Sequence, residues 1–221
     1  MARRVNVTPF NWPQAIIMGK ASIVKENRFT KRREPFNFML WMGIGGSVLI
    51  FTILLAVYTL RKSAGVYWTD VPLPALFWVS TFAIVVSSLT LHLANHSFRT
   101  DRYPQFRLYM SATLFLGVLF VILQFLGWRQ LIEAGISTVN NPSVGFIYLF
   151  SGLHIFHIAV GIAVLSWAVY QSLKNSTYVD AFVFSVNPPN QLKIKLITIY
   201  WHFVDVLWLY LFSFLLYHHG F

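Results

Sequence analysis

The chain of 221 residues contains no cysteine, and only 11% of its residues are charged. The absence of cysteine excludes disulfide bonds, thiolate-bound zinc or copper, iron–sulfur clusters and covalently attached c-type haem. The scarcity of charge excludes an ordinary soluble domain, in which about a quarter of the residues are charged. The rest of the composition, 57% hydrophobic with 18% aromatic residues, therefore predicts that most of the chain lies in lipid.

Five apolar segments are each long enough to cross a bilayer, for which a helix needs roughly 20 residues. Because backbone groups in hydrocarbon must be hydrogen-bonded within their own segment, we predict helices. The predicted fold is an all-α integral membrane bundle of five transmembrane helices over residues 36–221, preceded by a basic tail over residues 1–35. Pro188 and Pro189 predict irregular structure before the last span. The predicted spans are residues 36–60, 74–95, 108–128, 144–170 and 196–217.

The basic residues are distributed unevenly between the two sides of the predicted bundle. Fourteen of the 17 lysine and arginine residues lie in the tail and in the second and fourth loops. The positive-inside rule therefore predicts a cytoplasmic N-terminus and a C-terminus on the opposite side of the membrane. We interpret the net charge of +10 as attraction to anionic lipid, not to nucleic acid. The tail is expected to contact headgroups, with a docking arm for a partner subunit as the alternative.

The seven histidines raise the question of a metal site. His92 and His96 are four residues apart, which suits two ligands on one helix face and suggests a membrane di-iron desaturase or hydroxylase. At 1.5 Å of rise per residue, however, the histidines lie at three different depths. A shared metal site is therefore not expected, and His92 and His96 are interpreted as interfacial polar residues. The other histidines are His154, His157, His202, His218 and His219.

Asp205 is the only acidic residue inside a predicted span. A carboxylate in hydrocarbon costs roughly 2.5–3.5 kcal/mol, so it should face protein and have a partner. His202, three residues earlier on the same helix, and His157 on the preceding span are the two candidates. Both a structural hydrogen-bonded cluster and a proton-relay element are consistent with this pattern. Gln124 and the small residues Gly43, Gly45, Gly46, Ser47, Gly152 and Gly161 are predicted helix-packing positions.

The last span, Tyr200-Trp-His-Phe-Val-Asp-Val-Leu-Trp-Leu-Tyr-Leu-Phe212, resembles the terminal helix of cytochrome c oxidase subunit III and its quinol oxidase relatives. Ser151-Gly-Leu-His-Ile-Phe-His-Ile-Ala-Val-Gly161 is similar to that family's Thr-Gly-x-His-x-x-His-x-x-x-Gly helix. Segments 87–92 and 117–124 fit the two helices before it. The resemblance extends from about residue 36 to the end of the chain.

The resemblance implies a short, five-helix subunit III of a proton-pumping haem–copper terminal oxidase, which reduces O₂ to water with electrons from cytochrome c. It also implies that the subunit packs against catalytic subunit I, binds phospholipid and supports proton delivery. Haem and copper are then held by partner subunits, and this chain has no catalytic residue or metal ligand of its own. A bacterial plasma membrane is the expected location. By position, His154, His157, His202 and Asp205 match the family's polar motif residues, and Trp201 and Trp208 its aromatic ones.

Two positions depart from the family pattern. Ser47 stands where the family commonly has Glu in the first span, and Gly127 stands where many relatives have Glu after the third-span Gln. We therefore expect support of the oxidase by packing and lipid retention more than by proton collection. The alternatives are a quinol oxidase subunit III, the di-iron enzyme described above, and a small transporter, for which broken helices and an inverted repeat are lacking.

Overall fold

A computed structural model describes residues 34–65, 68, 71–135, 141–174 and 188–219. The predicted basic tail lies outside these residues except at its end. Within them the secondary structure is helical, without strands, and five helices are long and apolar enough to cross a membrane, which confirms the predicted fold class. They are α1 (Glu34–Ala64), α2 (Leu76–Arg99), α3 (Tyr103–Glu133), α4 (Pro142–Lys174) and α5 (Pro188–His219).

Every helix end except the start of α2 extends further than the apolar segments predict, most clearly at the start of α5. This helix begins at Pro188, so the prediction of irregular structure around the two prolines is wrong. A proline fits the first turn of a helix because its missing N–H has no intrahelical partner there and its φ is already helical. Pro142 occupies the same kind of position in α4.

The contacts divide the chain into two units, Met1–Trp41 and Met42–Phe221. Within the second unit, α2 packs on α3, α3 on α4, α4 on α5, and α5 back on α2. A turn of three residues, with Asp101 at a φ of 56°, makes α2 and α3 antiparallel neighbours. The result is a closed ring of four helices. Its core is largely aromatic and aliphatic and includes Phe77, Ile84, Phe120, Phe150, Val204 and Trp208.

The part of α1 in this unit lies outside the ring, against α4 and α5. Its buried residues Phe51, Leu55 and Tyr58 recur at the spacing of a single helix face. The ring of Tyr58 contacts Phe146 on α4 and Phe214 on α5. The remaining circumference is exposed and apolar, and we call it the outer face of α1: Met42, Val48, Leu49, Ile50, Ile53, Val57 and Leu60.

Candidate functional site

Two buried indoles of the terminal-helix motif join α5 to α2. Trp201 donates from Nε1 to the hydroxyl of Ser87 at 3.1 Å. About two turns further along, Trp208 donates from Nε1 to the hydroxyl of Thr81 at 2.9 Å. Both tryptophans are almost fully buried, so each indole N–H needs such a partner. The aromatic half of the motif therefore sets the register between these two helices.

The ring of Trp201 occupies a space that two glycines leave open. A Cβ added at Gly117 on α3 would lie 2.6 Å from Cη2 of this ring, and one at Gly161 on α4 would lie 3.2 Å from its Cζ3. Both glycines thus permit close approach of the indole. Gly152 is less crowded, since its added Cβ would meet Trp128 at 3.6 Å. The sequence gives no signal for the packing role of Gly117. That role becomes visible from the position of Trp201.

Gln124 joins α3 to α2 in the interior of the ring. Its Nε2 donates to the hydroxyl of Ser80 at 2.8 Å. Its Oε1 has no hydrogen-bond partner among the described residues. Close by on α3, Trp128 donates from Nε1 to the hydroxyl of Ser151 on α4 at 3.0 Å. Hydrogen bonds between polar side chains therefore connect α3 both to α2 and to α4.

The two histidines of the α4 motif have different surroundings. His154 has no exposed surface, and its ring lies against Phe120 and Trp208. Within the described ranges, neither of its nitrogens has a hydrogen-bond partner. The ring is consequently held by aromatic packing alone.

His157, one turn away, is bound from two sides. Its Nδ1 donates to the carbonyl oxygen of Leu153 at 2.9 Å, so in the neutral ring Nε2 is an acceptor. Nε2 lies 3.0 Å from Oγ of Ser47 on α1. The same Oγ lies 2.9 Å from the carbonyl oxygen of Gly43, and its single proton is shared between these two acceptors. His157 thereby links α4 to the helix outside the ring.

The expected pair between Asp205 and a histidine is not formed, which corrects the sequence interpretation. Nδ1 of His202 lies 2.8 Å from Oγ of Ser88 on α2. Asp205 is 4% exposed, and neither carboxyl oxygen has a hydrogen-bond partner in the described part of the chain, although Ser88 is near enough to act on it. The two side chains are neighbours on one face of α5, but Nδ1 of His202 is used by a serine of the adjacent helix.

The four polar motif residues therefore do not form one hydrogen-bonded cluster. His157 binds Ser47, His202 binds Ser88, and the side chains of His154 and Asp205 have no hydrogen-bond partner among the described residues. Their assignment to proton support stays a prediction. Their geometry shows polar contacts at several separate helix–helix boundaries.

The terminal histidines form a further connection that sequence reasoning did not identify. Nδ1 of His219 donates to the carbonyl oxygen of Val71 at 2.9 Å, and its Nε2 accepts from the hydroxyl of Tyr58 at 3.0 Å. Nζ of Lys62 donates to the carbonyl oxygen of His218 at 2.6 Å. The end of α5 is thereby tied to the end of α1. The only sequence signal was a histidine pair at the end of a span.

The histidines do not assemble a metal site in the described residues. No three histidine, aspartate or glutamate side chains there are placed to hold one ion. His92 and His96 are exposed on the last turns of α2. The clustered histidines that a di-iron enzyme needs are therefore not found in these ranges.

The two positions that depart from the family pattern both have a defined environment. Ser47 is the residue that contacts His157. Gly127 on α3 faces Phe77 on α2, and a Cβ added there would lie 2.6 Å from Cε1 of the phenyl ring. The absence of a side chain at Gly127 is thus required by the position of Phe77.

The fold and the buried histidine–tryptophan motif define a multi-pass helical membrane protein whose polar side chains connect its helices. The family described as cytochrome c oxidase subunit III matches residues 64–221, from the end of α1 through α5. The chain belongs to this family.

Individual relatives include subunits of two kinds of oxidase. The chain is 24% identical over 176 residues to cytochrome c oxidase subunit 3 of Bacillus sp. (strain PS3), covering 78% of this chain and 81% of the relative. It is 24% identical over 176 residues to quinol oxidase subunit 3 of Bacillus subtilis (strain 168), covering 78% and 82%. Cytochrome c oxidase subunit 3 of the same strain is 25% identical over 181 residues, with 78% and 81% covered. These names are consistent with a haem–copper oxidase subunit III and imply membership in an oxidase complex.

Proposed function

We propose that this chain is the non-catalytic subunit III of a haem–copper terminal oxidase that takes electrons from cytochrome c and reduces O₂ to water. The observation that carries the proposal is the placement of the terminal-helix motif. Trp201 and Trp208 lie in the core of the ring, where each indole is hydrogen-bonded to α2. The motif that identifies the family is thus used to assemble the bundle.

The haem and copper of such an oxidase belong, in this proposal, to the partner subunits. Three of the described histidines are already committed to contacts within the bundle and do not fit these groups as ligands. His154 is enclosed by Phe120 and Trp208, while His157 and His202 each already bind a serine on another helix. No redox step is therefore assigned to a residue of this chain.

The proposed role is to pack against catalytic subunit I and to retain phospholipid beside it. The outer face of α1 supports the lipid part, because it is a continuous apolar surface of membrane length. The serine at position 47 and the glycine at position 127 remove two carboxylates that could collect protons. A bacterial plasma membrane, with the N-terminus in the cytoplasm, is the proposed location.

Purification of the tagged full chain in a mild detergent tests this function. We expect it to co-purify with a large haem-binding subunit, and we expect the separated chain to contain neither iron nor copper. Deletion of the chain should leave initial proton uptake unchanged and cause progressive inactivation during turnover. Iron in the separated chain, without a haem-binding partner, would support the di-iron enzyme and contradict the proposal.

A quinol oxidase is the second candidate, because the quinol oxidase subunit of Bacillus subtilis (strain 168) is as similar as the cytochrome c oxidase subunit of Bacillus sp. (strain PS3). The purified complex distinguishes the two donors directly. Oxidation of reduced cytochrome c, together with a two-copper domain in a partner subunit, is expected. Oxidation of a quinol alone would assign the chain to the quinol branch.

A further inference from the structure

The outward-facing boundary between α2 and α5 differs in chemistry from the outer face of α1, since it carries polar side chains. It contains Ser88 and His92 on α2 and His202 and Asp205 on α5, and we call these four residues the α2/α5 seam. His92 is exposed, Ser88 and His202 are half-buried, and Asp205 lies behind them at 4% exposure. Val85 and Leu209, each 38% exposed, flank the seam.

Within the seam, hydrogen-bonding capacity remains unused. His202 uses Nδ1 for Ser88, and no partner of its Nε2 is found among the described residues. Both carboxyl oxygens of Asp205 also lack a hydrogen-bond partner in those residues. Polar side chains inside a bilayer are costly unless they face protein or water and are paired. A seam facing hydrocarbon would leave this cost uncompensated.

The outer face of α1 provides the contrast. Its hydroxyl groups are satisfied by their own helix, since Thr52 donates to the carbonyl of Val48 at 2.8 Å and Thr59 to that of Ala56 at 2.8 Å. The neighbouring side chains are large and apolar, such as Leu49 at 60% exposure. This surface leaves no hydrogen bond for a partner to complete, and lipid chains can cover it without cost.

His157 shows that a histidine near the outside of the ring can have both of its nitrogens hydrogen-bonded within the chain. It also lies at an outer boundary, between α4 and α1. Both of its nitrogens, however, are bound within the chain, by Leu153 and Ser47. Of these two outer histidine sites, the α2/α5 seam is therefore the one with incomplete hydrogen bonding.

We propose that the α2/α5 seam is the surface at which a transmembrane helix of a partner oxidase subunit docks, with a hydrogen-bonding side chain directed at Nε2 of half-buried His202. The carboxyl oxygens of Asp205 are enclosed behind it and are not part of the contact. The outer face of α1 then faces lipid. This inference rests on the proposed function for the existence of the partner. It adds which side of the bundle that partner covers and the chemistry by which it is recognised.

Site-specific photo-cross-linking in the assembled complex tests the docking surface. A benzophenone amino acid is placed at Val85 or Leu209 beside the seam, and at Leu49 or Ile53 on the outer face of α1 as matched apolar controls. The seam positions should cross-link to an oxidase subunit, and the α1 positions should yield lipid adducts only. Protein cross-links from α1, with lipid adducts from the seam, would overturn the inference.

Substitutions test the proposed chemistry. His202→Ala should increase detergent-driven dissociation from the complex by about three- to twentyfold, the range expected for one intramembrane hydrogen bond. Thr52→Val on α1 is the control and should leave dissociation unchanged. Unchanged dissociation of the His202→Ala variant would contradict the inference, and so would an equal increase in the control. Helix content of each variant must match the parent chain.

The two proposals fail in different ways. If the chain purifies without any haem-binding subunit, the proposed function is wrong. If it purifies with such a subunit but cross-links to it through α1, only the docking surface is wrong. Slowed initial proton uptake in His202→Ala with unchanged dissociation would instead assign this histidine to proton transfer and contradict the docking role.

Discussion

Trp201 sets the spacing among several helices, because residues from three of them contact its indole ring. Its indole N–H is bound by Ser87 on α2, while Gly117 on α3 and Gly161 on α4 admit its six-membered ring. In lipid, helices gain no hydrophobic free energy by associating, so close packing and hydrogen bonds decide the geometry. A fully buried side chain of this size therefore defines where its neighbours lie.

Gly117→Ala is expected to destabilise the bundle by about 1–3 kcal/mol, the usual cost of overpacking. The added Cβ would lie 2.6 Å from a ring that is itself fixed by a hydrogen bond. Unfolding in a detergent titration measures the effect. Gly145→Ala is the matched control, because no atom lies within 4 Å of its added Cβ. Equal stability of both variants would show that Trp201 can move freely.

Gly127 is a second position at which a missing side chain leaves room for a buried ring. Gly127→Glu restores the carboxylate common in the family, but its Cβ would lie 2.6 Å from the ring of Phe77. We expect this variant to lose stability. The double variant, Gly127→Glu with Phe77→Ala, should lose less free energy of unfolding than the sum of the losses in the two single variants, because the smaller side chain at position 77 makes room for the glutamate. Additive free energies in this double-mutant cycle would mean that the two sites are not coupled.

Among the five helices, α1 differs from the four that form the ring. It is attached through the buried residues Phe51, Leu55 and Tyr58 and through polar contacts at Ser47 and Tyr58. The other helices each have two neighbours in the ring. We therefore expect α1 to separate from the bundle more readily than any of them.

Phe51→Ala tests this expectation. The phenyl ring is fully buried, so its removal should increase amide hydrogen exchange in the second half of α1 by at least about tenfold, equivalent to about 1.4 kcal/mol of lost packing. Exchange in α2 to α5 should stay near the parent values. Ile53→Ala on the outer face provides the control. A uniform increase over all five helices would show that α1 is an integral part of the ring's cooperative unit.

At the scale of the whole molecule, the distribution of basic residues predicts how the bundle lies in the membrane. Because the chain has no cysteine, a single introduced cysteine is a unique reporter. Thr100→Cys, in the turn between α2 and α3, should react with a membrane-impermeant thiol reagent only from the cytoplasmic side. Ser63→Cys, near the end of α1, should react only from the opposite side. The reverse pattern would show that the N-terminus is not cytoplasmic.

Much of the fold follows from linear features of the sequence. Five helices could be predicted because hydrocarbon requires internal backbone hydrogen bonds over runs of about 20 residues. The ends of the helices could not, because the turns beyond the apolar core are stabilised by local geometry, as at Pro188. The sequence predicts which polar residues lie inside the bundle, but it does not predict their partners. His202 is a candidate partner of Asp205 by spacing, yet in the structure it binds Ser88.

The linear sequence is enough to identify a multi-pass helical membrane protein and carries the motif of its family. Composition and spacing suffice for the first because the bilayer acts on each segment separately. The packed bundle adds that α1 lies outside a ring of four helices, that Gly127 accommodates Phe77, and that Asp205 has no hydrogen-bond partner among the described residues. These features depend on how each helix is rotated about its axis and how far it slides along its neighbour. Both quantities are set by side-chain packing between segments distant in the chain.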